Sequence, residues 1–205
     1  MRLTMRASTI TRKTKETDIS VTIAIDGTGR FIGTTGIALF DHFLEQIATH
    51  GMIDIAIDVT GDLDVGGHHT VEDLGYCLGG AISSALGERS GICRFGNARV
   101  PMEHSLVEVD IDLVDRPLCD MGNFMDWSNP MSMALGDLDL NMFTCHFFRT
   151  MAMHGRFTLH VDMVRHGSNN HHLAEATYKA FGLALRRAAE IDPRRAGIPS
   201  SKGEM

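Results

Sequence analysis

The chain has 205 residues, with 19 lysines and arginines against 26 aspartates and glutamates, for a formal net charge of −7. Its 43% hydrophobic and 22% charged content is ordinary for a folded protein and argues against an intrinsically disordered one. No apolar run approaches the ~20 residues of a membrane span, and no stripe of lysine and arginine indicates nucleic-acid binding. Four cysteines without short spacings predict free thiols, which favours a cytoplasmic location.

The first half of the chain alternates between two apolar periods. Apolar residues at every second position predict strands over residues 3–12, 18–26 and 52–59. Apolar residues spaced three and four apart predict helices over residues 37–50 and 69–87. The predicted order is therefore strand, strand, helix, strand, helix.

The second half has a similar pattern. Alternation predicts strands over residues 107–113 and 156–164, and helical spacing predicts helices over residues 138–154 and 171–190. Residues 116–137, with their prolines, glycines and methionines, predict an irregular connection.

The two halves also repeat one another residue by residue. His42-Phe43 recurs 104 positions later as His146-Phe147, and the sequence His-His-x-x-Glu occurs at residues 68–72 and 171–175. Two copies in register predict a tandem duplication of a β-sheet and two-helix unit, an α+β fold. We expect a first half at residues 1–92, a second half at 93–190 and a C-terminal tail at 191–205.

The repeated motif is typical of a metal site. His68 and Glu72 lie four residues apart on one helix face, while His69 is turned by about 100° and points toward a different ion. The second copy, His171, His172 and Glu175, offers the same groups. With His42 and His146 added, six imidazoles and two carboxylates divide into two sites, each suited to Mn, Fe, Co, Ni or Zn with an open catalytic position.

A plainer interpretation is a helix start with two surface histidines, and it would hold for a single copy of the motif. Two copies in register, with two further paired histidines, make it the weaker reading. Arg94, Arg116, Lys179 and the tail segment at residues 200–203 are each, taken alone, solvated surface groups, although arginine and a Ser-Lys-Gly tail suit phosphate.

Several segments together resemble the imidazoleglycerol-phosphate dehydratase family over nearly the whole chain. They are Thr14-Lys15-Glu16-Thr17, Thr35-Gly36-Ile37-Ala38-Leu39-Phe40-Asp41-His42, His68-His69-Thr70-Val71-Glu72-Asp73, Gly91-Ile92-Cys93-Arg94-Phe95-Gly96, Arg116-Pro117 and Asn170-His171-His172-Leu173-Ala174-Glu175-Ala176. The resemblance implies a ribosomal protein S5 domain 2-like fold and dehydration of imidazole glycerol phosphate, through a metal-bound imidazolate and a diazafulvene-like intermediate, to imidazole acetol phosphate in histidine biosynthesis. It also implies two Mn(II) ions per active site, and a homo-oligomeric shell of twenty-four subunits with active sites between them.

The resemblance also implies roles for individual residues. One ion takes His42, His68, Glu72 and His172, and the other takes His69, His146, His171 and Glu175. Glu16 matches the catalytic base. The residues matching substrate-binding positions are Gln46 and His50 near the hydroxyls, and Arg94, Arg116, Lys179, Ser201, Lys202 and Gly203 at the phosphate.

The chain departs from the family pattern before its first double histidine. Gly66 and Gly67 stand where the family has an acidic residue close to the metals. If that carboxylate orients a ligand imidazole, metal affinity or rate should fall by about 10 to 100-fold. The departure leaves an alternative, a diverged paralogue that is either a two-metal hydrolase or a noncatalytic metal-binding assembly.

Overall fold

The computed structural model describes residues 5–125, 134–135, 138–139 and 142–205. The first half forms one four-stranded sheet in the order β1-β2-β4-β3, with two helices. Its elements are β1 (Ala7–Lys13), β2 (Thr17–Ala24), β3 (Phe31–Ile32), α1 (Ala38–Gly51), β4 (Asp54–Gly61) and α2 (His68–Leu86). Strand β4 pairs antiparallel with β2 and parallel with β3.

The second half repeats this arrangement in a sheet of order β5-β6-β10-β7. Its elements are β5 (Phe95–Met102), β6 (Ser105–Asp112), β7 (Leu118–Asp120), β8 (Ala134–Leu135), β9 (Leu138–Asp139), α3 (Phe147–Gly155), β10 (Thr158–Arg165) and α4 (Asn170–Ala189). Strand β10 pairs antiparallel with β6 and parallel with β7, as β4 does with its own neighbours. The predicted α+β duplication is confirmed.

The sequence prediction missed the short strand β3 and was wrong in three further details. Strand β5 was not predicted, and the predicted helix over 138–154 begins only at Phe147, after a π-helical turn at Met142–His146. Leu138 and Asp139 are instead extended and pair with Ala134 and Leu135. The connection predicted as irregular over 116–137 contains strand β7, and its residues 126–133 and 136–137 lie outside the described residues.

The helices pack across the two halves. Helix α2 lies on strands β1 and β2 and contacts α3, whereas α4 lies on β5 and β6 and contacts α1. Aromatic rings fill the centre, where the fully buried Tyr178 stacks on Phe43 and Phe147 and donates its hydroxyl hydrogen to the Phe143 carbonyl at 2.7 Å. One continuous core therefore joins both repeats. No helix in the described part of the chain is long and apolar enough to cross a bilayer.

Glycines let these helices approach closely at equivalent positions. A Cβ on Gly79 of α2 would overlap the Met151 carbonyl oxygen of α3 and lie 2.8 Å from the Gly155 nitrogen. A Cβ on Gly182 of α4 would lie 2.8 Å from the Ile47 carbonyl oxygen of α1. In each of these pairs, α2 with α3 and α4 with α1, a helix that begins with a double histidine packs on a helix from the other half. The close contact therefore brings metal-capable residues of both halves together.

We expect Gly79→Ala to destabilise the protein by about 1–3 kcal/mol, because the new methyl group meets backbone atoms that cannot move aside. The neighbouring Gly80→Ala is the matched control, since a Cβ there lies 3.6 Å from the Ile10 side chain in ordinary contact. Alanine is the better helix former, so Gly80→Ala should stabilise by about 0.5–1 kcal/mol. Chemical denaturation of both variants measures the difference, and equal effects would contradict the packing described.

Candidate metal centre

Two clusters of metal-capable side chains form where the helices of opposite halves meet. We call His42, His171 and Glu175 histidine group 1, and His68, Glu72 and His146 histidine group 2. In each group, the three possible ligand atoms lie within 4.8 Å of one another. Each group combines a His and a Glu four residues apart on one helix with a histidine from the other repeat, because α1 packs on α4 and α3 packs on α2.

Histidine group 1 is compact and is built around a Glu175 side chain that is 10% exposed. The Glu175 Oε2 atom lies 3.1 Å from His42 Nε2 and 3.0 Å from His171 Nε2. Its Oε1 atom accepts a hydrogen bond from Lys179 Nζ at 2.7 Å. Burial alone would raise the pKa of Glu175, but the hydrogen bonds from Lys179 and His42 outweigh burial and lower that pKa to about 2. The group therefore presents an ionised carboxylate between two imidazoles.

The start of helix α4 is fixed by a side-chain cap. Asn169 Oδ1 accepts hydrogen bonds from the backbone nitrogens of His171 and His172, at 2.9 and 3.4 Å. This satisfies two of the helix's otherwise unpaired N–H groups and sets the direction of its first turn. Helix α2 starts differently, after Gly66 at φ 115° and Gly67, with no side-chain cap. The two glycines noted in the sequence thus form a tight turn into the first double histidine.

Histidine group 2 is more open. Glu72 Oε2 lies 3.6 Å from His68 Nε2 and 3.7 Å from His146 Nε2, and the Glu72 side chain is 46% exposed. The His68 and His146 rings stack with their centroids 4.5 Å apart. His146 Nε2 is buried and has no hydrogen-bond partner among the described residues, so this ring nitrogen points into the group unsatisfied.

Within one chain, these groupings match the sequence-based division of ligands only in part. The pairs His68 with Glu72 and His171 with Glu175 are brought together as predicted. His42, however, joins His171 and Glu175, and His146 joins His68 and Glu72, the reverse of the predicted assignment. The reason lies in the tertiary structure, because each helix that begins with the double histidine packs against the first helix of the other repeat. The local sequence does not encode this packing.

The second histidine of each motif points away from its own group. The rings of His68 and His69 are inclined by 85°, and those of His171 and His172 by 73°. Among the described residues, neither His69 nor His172 belongs to a cluster of three metal-capable side chains. Instead, His69 Nδ1 lies 2.9 Å from Asp62 Oδ2, and His172 Nδ1 lies 3.3 Å from Glu103 Oε2.

Glu16 lies at the tip of the β1–β2 hairpin, beside a cavity of about 310 Å³. Its Oε1 atom is 3.9 Å from His69 Nε2, and Glu72 lines the same cavity. The structure therefore brings Glu16 next to one of the predicted ligands, His69.

The sequence analysis assigned no site role to Arg12, Tyr76 and His154, which also line this cavity. The Arg12 guanidinium carbon lies 4.5 Å from the centre of the Tyr76 ring, and the Tyr76 and His154 ring centroids are 4.0 Å apart. Burial and the nearby Arg12 lower the pKa of His154, with Glu72 opposing them. The sequence repeat could have indicated His154 as a site residue, because His154 is equivalent to His50.

The residues matched to the substrate hydroxyls lie on α1. Gln46 donates a side-chain hydrogen bond to the His42 carbonyl oxygen at 3.1 Å. Burial and the Lys179 ammonium lower the pKa of His50, with Glu175 opposing them. Both residues therefore belong to the surroundings of histidine group 1.

The residues matched to the substrate phosphate are distributed differently. Lys179 is held by Glu175, and Arg116 is exposed before β7. Arg94 makes hydrogen bonds of 2.7 and 2.9 Å to Asp112 and donates to the Pro199 carbonyl at 3.0 Å. That contact anchors the tail just before its exposed residues Ser201, Lys202 and Gly203.

Comparison with known proteins agrees with this geometry. A family model described as imidazoleglycerol-phosphate dehydratase matches residues 35–185. A protein of that name from Roseobacter denitrificans is 46% identical over 203 residues, covering 98% of this chain and 100% of the relative. Another of that name from Moorella thermoacetica is 44% identical over 199 residues, covering 97% of each chain.

Solved structures match as well. The crystal structure of imidazoleglycerol-phosphate dehydratase from Staphylococcus aureus is 26% identical, with a TM-score of 0.78 over 91% of this chain and 99% of that one. The dehydratase structure from Pyrococcus furiosus in complex with (S)-C348 is 32% identical, with a TM-score of 0.79 over 96% of this chain and 100% of that one. On the family match and these full-length relatives, the chain belongs to the imidazoleglycerol-phosphate dehydratase family.

Proposed function

We propose that this chain catalyses the dehydration of imidazole glycerol phosphate to imidazole acetol phosphate in histidine biosynthesis. The observation that carries the proposal is the pair of histidine groups, each completed by a glutamate, in a chain of this dehydratase family. The enzyme we propose is a cytoplasmic homo-oligomer. Its suggested size of twenty-four subunits comes from the family resemblance.

The donor atoms of both groups fit a divalent ion such as Mn(II). Imidazole nitrogens combined with a carboxylate are a mixed set that Mn accepts, and the unsatisfied Nε2 of His146 gains a partner when an ion binds. We assign two Mn(II) ions per active site, one to each histidine group. When bound, the ions supply Lewis-acid polarisation of the substrate's imidazole ring.

His69 and His172 are the remaining ligands in this proposal. Because neither reaches a histidine group within one chain, we propose that each completes a group on another copy. The Nε2 atoms of both rings are available for this contact, since their Nδ1 atoms face carboxylates. The arrangement gives each ion three imidazoles and one carboxylate.

Glu16 is the general base of the proposed reaction. It would take the proton from C2 of the glycerol chain, and this proton together with the hydroxyl lost from C3 makes up the water released. The enol that remains becomes the ketone of the product. A base must come within hydrogen-bonding reach of its proton, and the hairpin tip places this half-exposed carboxylate beside the cavity that His69 and Glu72 also line.

The substrate phosphate would be held by cations and by the tail. Arginine offers a bidentate fork, while the tail adds an ammonium, a hydroxyl and backbone N–H groups. The proposed phosphate-binding residues are Arg94, Arg116, Lys179, Ser201, Lys202 and Gly203. Arg94 has a second task in this assignment, because its bond to Pro199 holds the tail that carries the last three. Gln46 and His50 would contact the hydroxyls.

The test of the proposed function is product analysis. Purified chain with Mn²⁺ should convert imidazole glycerol phosphate to a product one water lighter, detected by mass spectrometry. Release of inorganic phosphate instead would indicate a two-metal hydrolase. Unchanged substrate in the presence of bound Mn²⁺ would indicate a noncatalytic metal-binding assembly, and either result would refute the proposal.

A further inference from the structure

We propose that Asp62 is a positioning residue that holds His69 with its Nε2 atom directed toward a metal ion. This inference rests on the proposed function, in which His69 is a ligand. It concerns the segment that leads from strand β4 into the first double histidine.

The geometry of the pair determines which ring nitrogen is available. Asp62 Oδ2 lies 2.9 Å from His69 Nδ1, a normal hydrogen-bond distance. A carboxylate accepts a hydrogen bond from Nδ1–H, so the neutral ring carries its lone pair on Nε2. Nε2 is the atom that faces Glu16 and the cavity, at 3.9 Å from Glu16 Oε1.

Asp62 makes no other side-chain hydrogen bond in the described part of the chain. Its second oxygen, Oδ1, is buried and without a hydrogen-bond partner there. A partly buried carboxylate with one partner costs desolvation that a single bond only partly offsets, so the residue contributes little to stability as such. Its hydrogen bond to His69 therefore indicates a role in orienting that ring.

The backbone of Asp62 links this histidine to the proposed base. Its N–H donates to the Glu16 carbonyl oxygen at 3.1 Å, directly after strand β4 ends at Gly61. Since β4 pairs with β2 along its length, the hydrogen bonds of the sheet fix this position. Asp62 thus sets the ring of His69 relative to Glu16.

The second repeat reaches the same orientation with a different residue. His172 Nδ1 faces Glu103, which lies at the tip of the β5–β6 hairpin rather than after a strand of the sheet centre. Glu103 is 71% exposed and 3.3 Å away, so its hold on the ring is weaker than that of Asp62, which is 26% exposed. Both double histidines therefore have a carboxylate on Nδ1 of their second ring.

The experiment measures Mn²⁺ binding by metal-stripped protein, following the free Mn²⁺ signal in electron paramagnetic resonance. We expect Asp62→Ala to lower the affinity for one of the two ions by about 10 to 100-fold and to leave the affinity for the other unchanged. Asp62→Asn keeps an oxygen that accepts from Nδ1–H, so it should recover part of the loss. Asp64→Ala removes an exposed carboxylate two residues away and should bind like the unaltered chain.

Binding by Asp62→Ala equal to that of Asp64→Ala, with two ions on the unaltered chain, would overturn this inference alone. Equal weakening of both ions together with a lower melting temperature would also overturn it, because Asp62 would then be structural. An unaltered chain that binds no Mn²⁺ would refute the proposed function, and this inference with it.

Discussion

Glu16→Gln should lower kcat by about 10² to 10⁴-fold, the usual contribution of a positioned general base. The amide keeps the size of the carboxylate at the hairpin tip but cannot take the C2 proton. Because Glu16 belongs to neither histidine group, the variant should still bind two Mn²⁺ ions per chain. Steady-state turnover combined with metal analysis measures both quantities.

The matched control is Glu45→Gln, which makes the same chemical change at an exposed position of helix α1. Its turnover and metal content should equal those of the unaltered chain. Full turnover by Glu16→Gln would remove Glu16 as the base. Loss of bound metal in that variant would instead make Glu16 part of the metal site.

Changing Glu175 or Glu72 to glutamine should lower the free energy of unfolding of the protein by different amounts. Glu175→Gln removes a charge that pairs with Lys179 at 2.7 Å, where the two side chains are only 10% and 21% exposed. It should destabilise the metal-free protein by about 1.5–3 kcal/mol, the range for hydrogen bonds to charged groups. Glu72→Gln, at a half-exposed carboxylate, should stay within about 0.5 kcal/mol.

Each of these variants should nevertheless lose one of the two bound ions and nearly all turnover. Urea denaturation with a chelator gives the free energies of unfolding, and metal analysis gives the stoichiometry. Equal destabilisation by both substitutions would contradict the burial described for histidine group 1. Two ions retained by both would show that neither carboxylate is a ligand.

The duplication was predictable because the sequence repeats itself, and the pairing of histidine with glutamate because the two residues are close in sequence. A spacing of four places His68 beside Glu72, and the second motif repeats it as His171 beside Glu175. The repeat also links His42 with His146, but it does not predict which pair each of them lies beside. That choice depends on which helices pack together, and the equivalent glycines of α2 and α4 become informative only once the packing is known.

Strand β5 was missed for a physical reason. It is an edge strand that contains Gly96 and Pro101, two residues that weaken the strand signal. Gly96 is required there because a Cβ would overlap the Ala184 carbonyl oxygen of α4. Pro101 is tolerated because an edge strand leaves one row of N–H groups unpaired.

The contact of Asp62 with His69 could not be predicted from spacing either. The two residues are separated by a 3-10 turn at Leu63–Val65 and by Gly66, which adopts φ 115°. The sequence analysis singled out Gly66 and Gly67 in this segment but not Asp62, whose carboxylate lies 2.9 Å from the His69 ring.

The most direct measurement of the central claim is turnover of imidazole glycerol phosphate by protein stripped of metal and then reloaded with Mn²⁺. Our account predicts that activity disappears on chelation, returns on addition of Mn²⁺, and reaches its plateau at two ions per chain. Full activity of the stripped protein, or no activity when two ions are bound, would contradict it.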